Sequence, residues 1–440
     1  MSLYPKDGSH GLSRREFLRR AGVTGIALPS MAAILAACQD SSQVSGGTGA
    51  SGATNPYGTG GVGGAPYPLA RIDAPVTWNI PDDNQPIDSG LPPEQGATLK
   101  IYNWGYYLKP KIMKDFGEKY GCAVELTDYS DVPSAFQKLR SGQVDFDLMF
   151  GFNLDYMGKM IAAKLLRPLN KDYLPNFTTN VWDQFKSPFY DVGAQYSVPY
   201  TVSTTGIFWR NDLFDVDIAG MDNPYDVFWQ GAPKDKTHFM RNRDPLALAM
   251  MRRGITDINT DDPAVIQQAH DDLLEVVKAV NPKWDNDDYT ELPQGQAWLH
   301  QSWSGNALDA YVFYLQPGQT AEIFSYVWPP AVAPSVPGVV GTDLIGVLTT
   351  GKNPVLAHMF VSEMYDPAIA LDNFATYTGW QPPLKPIDPD SLVADGIVPE
   401  NLASTIVWEE DYAKGLQLCE LAPEADVLWE DAYQQLQAGV

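Results

Sequence analysis

Cysteine is scarce, with three in 440 residues, at positions 38, 122 and 419. A disulfide-dense scaffold is thereby excluded. No C-x-x-C pair or Cys/His cluster is present, so neither a structural zinc site nor another metal site is expected. One bridge between Cys122 and Cys419, or two separate thiols, both fit the sequence. Histidine is also scarce: five are scattered, and His10 precedes the body of the protein. Neither H-E-x-x-H nor G-x-S-x-G occurs. No nucleophile–base constellation marks an enzyme, and no cofactor is expected. Basic residues are few, 30 Lys and Arg against 54 Asp and Glu, for a net charge of −24. Phosphate binding needs a basic surface, so a nucleic-acid partner is excluded.

Three stretches approach known motifs and fail. "GVLTTGKN" (346–353) ends on Asn353 where a phosphate loop needs Ser or Thr, and reads as a turn. "GTGGVG" (58–63) matches a dinucleotide fingerprint but follows no strand. "WDNDDYTE" (284–291) has carboxylates for calcium but lacks the loop glycine, and reads as a solvated loop.

Long apolar runs are missing as well. Ala21 to Ala37 is uncharged over 17 residues, short of the roughly 20 that span a bilayer. Arginines precede it and Cys38 follows it, which is the layout of an export signal. Arg14-Arg15 with Phe17 and Leu18 resembles the twin-arginine motif, and Leu35-Ala36-Ala37-Cys38 resembles a lipobox, in which the cysteine takes lipid. Residues 39–64 are almost all Gly, Ser, Thr and Ala, too polar to bury a core. They form a flexible leash. A Pro- and Asp-rich piece, 65–97, is expected to lie extended along the body.

Regular structure begins at "TLKIYNW" (98–104), a strand. A helix over 110–121, a strand "CAVELTDY", a helix through 134–140 and a strand "FDLMF" (146–150) follow, and this alternation predicts a parallel α/β sheet. Asp262 and Pro263 open a long helix with an apolar stripe on Ile266, Ala269, Leu273, Val276 and Val280. His270 beside that stripe reads as structural. "VVGTDLIGVLTTG" (339–351) returns as strand, and "DVLWEDAYQQLQAG" closes as helix.

Aromatics are plentiful, 12 Trp, 22 Tyr and 17 Phe, and many fall where strands end: "NWGYY", "FGFN", "SVPYT", "QSWSGN" and "YTGWQPP". Open α/β sheets bind ligands at strand ends, and ring faces attract ammonium groups by roughly 0.5–2 kcal/mol each.

From about residue 98 to 439 the chain resembles the spermidine/putrescine-binding proteins of ABC transporters. The stretches that carry this are "LKIYNWGYYLKP", "VDFDLMF", "YSVPYTVSTTGIFWRND", "NTDDPAVIQQAHDDL", "QSWSGNA", "VWPP", "TDLIGV", "TGWQPP" and "YQQLQAG", in the family's order. The resemblance implies a type II periplasmic-binding-protein fold, two α/β lobes on a two-strand hinge with the ligand between them. Lobe 1 would be 98–202 plus 340–382, and lobe 2 203–339 plus 383–440. Carried over by position, Trp104, Tyr107, Trp303 and Trp380 would wall the cleft, and Asp343 would hold an ammonium. Tyr106, Phe152, Asn153 and Asp244 stand where the family keeps further polar or acidic groups, so most of the family's carboxylates are replaced. Arg241 and Arg243 would favour an acidic or zwitterionic ligand if they faced the cleft. The expected protein is a monomeric, lipid-anchored, extracytoplasmic receptor that hands a polyamine or related amine to an ABC permease. A different small amine, zwitterion or acid on the same scaffold, and a secreted enzyme exported folded, are the alternatives.

Overall fold

The structure is a computed structural model in which residues 67–440 are described. The export signal with Arg14 and Arg15, the lipidation residue Cys38 and the leash up to residue 66 lie outside the described residues.

The first half alternates as predicted through β1 (Thr98–Trp104), α1 (Pro110–Tyr120), β2 (Ala123–Tyr129), α2 (Val132–Arg140) and β3 (Leu148–Phe152), and a further helix, α3 (Leu154–Ala162), follows. Ile112 and Phe116 turn the buried face of α1 inward, and Gly121 ends it in the left-handed region at φ 69°. Helix α2 begins two residues earlier than expected, because Asp131 accepts the Ser134 N–H as its cap. Strand β3 begins two residues later and runs to Phe152, since Leu148 to Phe152 is the stretch that pairs with β9 (Val339–Val347).

The remaining elements are β4 (Val198–Arg210), β5 (Thr237–Phe239), α4 (Asp244–Arg252), α5 (Pro263–Val280), β6 (Lys283–Trp284), α6 (Asp288–Glu291), β7 (Leu299–Trp303), α7 (Ser304–Asp309), β8 (Phe324–Val327), α8 (Pro354–Glu363) and α9 (Pro423–Ala438), with short turns of helix between them. Asp262 caps α5 through the Ala264 N–H, and its predicted stripe is buried. His270 is buried against the C-terminal residue, a structural position.

The strands form one mixed sheet in the order β2-β1-β3-β9-β4-β7-β5-β6, with β8 added on β4. β1 is parallel to both β2 and β3. β5 is likewise parallel to β6 and β7. Between these parallel halves, β9 and β4 pair antiparallel. They are the two strands that join the lobes. All 13 residues of β4 are buried. Its far end alternates, with Phe208 in one core and Ile207 and Trp209 in the other, because strand side chains have period two. The first core gathers β1, β3, β9 and α8 together with residues 384–412. The second gathers α4, α5 and α9.

The segment before β1 is extended, and it is anchored more deeply than a surface strand. Trp78 is buried, and its Nε1 donates to the Tyr190 carbonyl at 2.9 Å. Val76 exchanges backbone bonds with Phe189 and Val192. Both Glu94 oxygens accept N–H groups at the start of α8, where a helix favours an anion.

Two sequence expectations are resolved or corrected here. Cys122 and Cys419 are separate free thiols. The stretch 284–291 is not a solvated loop: Asp285 and Asp288 are buried, because β6 and α6 fold it against β7. Among the described residues, no helix is long and apolar enough to cross a membrane.

Candidate functional site

The middle of the sheet places Asp343 on β9 opposite Thr201 on β4. The Tyr107 hydroxyl, from the turn after β1, donates to Asp343 Oδ2 at 2.6 Å, and Thr201 Oγ1 lies 2.7 Å from the same hydroxyl. Burial pushes the Asp343 carboxyl up to about 7, against the pull of the Tyr107 hydrogen bond. A carboxylate held there is costly alone and is stabilised by a cation.

Aromatic rings surround this pair. Tyr107 meets Trp380 edge-on, with centroids 5.8 Å apart, and Trp380 meets Trp303 at 6.0 Å. Tyr200 packs on the other side of Tyr107 at 4.8 Å. Trp380 fits because residue 305 is glycine: a Cβ there would stand 2.4 Å from its ring. Trp104 is fixed in a similar way. Its Nε1 donates to the Gly151 carbonyl at 2.8 Å, and Gly151, at φ +79°, leaves room that a Cβ 2.3 Å from the indole would close. Tyr129 packs beside Trp104 at 4.8 Å.

Of the residues singled out in sequence, Tyr107, Trp303, Asp343 and Trp380 therefore share one chain of contacts, and Trp104 stands at the end of the parallel strands. Asp244 opens α4, and its backbone carbonyl accepts from Gln301 Nε2 at 3.0 Å, two residues before Trp303. Burial raises its carboxyl to about 7, with Arg243 opposing and Asp155 adding to the rise. Asn153 precedes α3 without a side-chain cap bond, and its Oδ1 is buried with no protein hydrogen bond, as is Gln301 Oε1. These two oxygens are available acceptors.

Two candidates are placed differently. Phe152 is fully buried, with its ring against Gly346 inside the sheet packing. Strand alternation sends it there and leaves the next residue, Asn153, at the strand end. Tyr106 is exposed on the turn after β1, at φ +61°. The two arginines have partners within the protein. Arg241 is exposed on the surface, its backbone N–H on Asn286 Oδ1 at 3.1 Å. Arg243 pairs with Asp155 of α3 at 3.0 Å, donates to the Cys419 carbonyl and sits over the Trp429 ring. It ties α3 to α4.

Sequence reasoning missed Tyr200, Thr201, Tyr129 and Gln301. The first two lay within the noted "SVPYT". Gln301 precedes Trp303 by two residues and so shares its strand face, a signal that was available.

Two α/β halves are joined by paired central strands, with aromatic rings and a buried carboxyl gathered where the strands meet. The chain belongs to the bacterial extracellular solute-binding protein family, which matches residues 111–399. Its relatives are binding components of transporters and not enzymes. It is 24% identical to the spermidine/putrescine-binding periplasmic protein of Salmonella typhimurium over 350 residues, 78% of this chain and 92% of that one. It is 26% identical to the putrescine/agmatine-binding protein of Pseudomonas aeruginosa over 244 residues, 52% and 64% of the two chains. In fold it is similar to the spermidine/putrescine ABC transporter substrate-binding protein PotD of Streptococcus pneumoniae, with a TM-score of 0.65 and 21% identity over 79% of this chain and 99% of that one.

Proposed function

We propose that this protein is the tethered receptor of an ABC importer and that its ligand is a polyamine or a shorter amine, held between the lobes. The observation that carries this reading is the Asp343–Tyr107 pair enclosed by Trp303 and Trp380. An ammonium would meet the carboxylate while the rings flank the methylene chain. Asn153 and Gln301 offer further acceptors. The engagement of Arg243 by Asp155 supports an amine over an acidic ligand. With Asp343 and Asp244 the acids present, a ligand with fewer amines than spermidine suits the site best. Titration calorimetry of the full chain tests this: saturable heat is expected with putrescine-sized diamines. Heat with dicarboxylates and silence with every amine would reject it.

The lipobox-like Leu35–Cys38 supports attachment through Cys38, with the leash giving the body reach beside its permease. Cys38→Ser is expected to move the protein from the membrane fraction to the soluble extracytoplasmic fraction. Retention in the membrane fraction would reject the anchor.

A further inference from the structure

The second half of the sheet holds a cluster that ligand capture does not use. His238 on β5 and His300 on β7 are register partners on adjacent strands, and both are fully buried. Asp285, just after β6, stands between them: its Oδ2 lies 3.1 Å from His238 Nδ1 and its Oδ1 lies 3.1 Å from His300 Nε2. Glu291, at the end of α6, brings Oε2 to 2.7 Å from the same His238 Nδ1. Ligand atoms of His238, Asp285 and His300 all lie within 4.8 Å of one another.

His300 Nε2 and Asp285 Oδ1 meet in hydrogen-bond geometry, whereas the contacts of His238 are close yet poorly formed as hydrogen bonds. Neither ring nitrogen of His238 nor Glu291 Oε2 meets a protein partner in hydrogen-bond geometry. His300 Nδ1 is directed at the Gln301 carbonyl, so that nitrogen carries a proton. His300 Nε2 also lies in hydrogen-bond geometry to Asp285 Oδ1, so a metal ion would take the place of the proton between them. A backbone carbonyl on the far nitrogen is the usual support of a metal-bound imidazole. Two neutral imidazoles and two carboxylates carry a charge of −2 in a buried shell, with Lys283 a distant 3.9 Å from Glu291 Oε1. A divalent cation neutralises it. Bonds of about 2.0–2.1 Å to four ligands place ligand atoms about 3.3 Å apart in a tetrahedron; the three close pairs here stand at 2.7 to 3.1 Å.

We propose that His238, His300, Asp285 and Glu291 bind one divalent transition-metal ion of the zinc class. Two nitrogens and two oxygens, all from the protein, make a closed structural site. It clamps β5, β7 and the 285–291 segment three residues from Trp303, so it braces one wall of the cleft. Its carboxylates lie in the noted "WDNDDYTE", but the two histidines, 62 positions apart (238 to 300), join them only through strand pairing.

The test uses the full chain stripped with a chelator and titrated with Zn2+. One equivalent per chain is expected, with a raised thermal midpoint and tetrahedral Co2+ absorption on substitution. The double variant H238Q/H300Q is expected to lose the equivalent and the thermal response. Should it fail to fold, Glu291→Gln, at the partly exposed rim, is expected to weaken Zn2+ binding at least tenfold with its circular dichroism unchanged. Binding well below one equivalent, or Zn2+ held equally by wild type and variants, would overturn the proposal and leave protons shared among the four groups.

Discussion

Asp343→Asn is expected to lower amine affinity about 100-fold, with the fold and thermal midpoint retained. Removing one partner of an enclosed charge pair costs about 2–5 kcal/mol, and each 1.4 kcal/mol is a factor of ten. The carboxyl also dictates a pH dependence. Burial pushes the Asp343 carboxyl up to about 7. A bound ammonium requires it ionised, so binding below pH 7 must first expel its proton. Affinity is therefore full above about pH 7 and falls about tenfold per pH unit below it. Burial raises Asp244 to about 7 as well, and a slope approaching two would show that both acids hold the ligand. Calorimetry between pH 5 and 8 reads both effects. A wild-type profile that stays flat, or an Asn variant that binds unchanged, would remove Asp343 from the ligand.

Asp191→Ala is expected to destabilise the first half by about 3 kcal/mol, seen as a lower urea midpoint. Asp191 is fully buried and gathers the loop that leads into β4. It accepts N–H groups of Gln195, Tyr196 and Ser197 at 2.9–3.0 Å and the Ser197 hydroxyl at 3.0 Å. Hydrogen bonds to a charged acceptor contribute about 1.5–3 kcal/mol each and do not add fully. Burial raises its carboxyl to about 6, with those hydrogen bonds opposing the rise. Its folded value thus lies above its ordinary 3.8. This titration contributes stability that is fully present below about pH 4 and is lost as pH rises through 6. The alanine variant should lack that slope. An unchanged midpoint would show that the loop holds itself without the carboxylate.

The alternation of elements was legible in the sequence because helix and strand periods are local properties. Pro110 with Gly121, and Asp262 with Pro263, state where helices begin and end within a few residues. The aromatic wall was legible only through resemblance, since ring-rich strand ends look the same whether they line a core or a cleft. Phe152 and Asn153 show the difficulty: one position of strand alternation separates the core from the strand end.

The sequence by itself determined the α/β character, the acidic surface and the segment order, all of which follow from composition and short-range pattern. Tertiary structure alone decided that Tyr107 reaches Asp343 across 236 positions, and that Arg243 is occupied by Asp155. It likewise decided that "WDNDDYTE" turns its acids inward onto two histidines. Those facts depend on which strands pair and in what register, and pairing between distant segments leaves no local trace in a single chain.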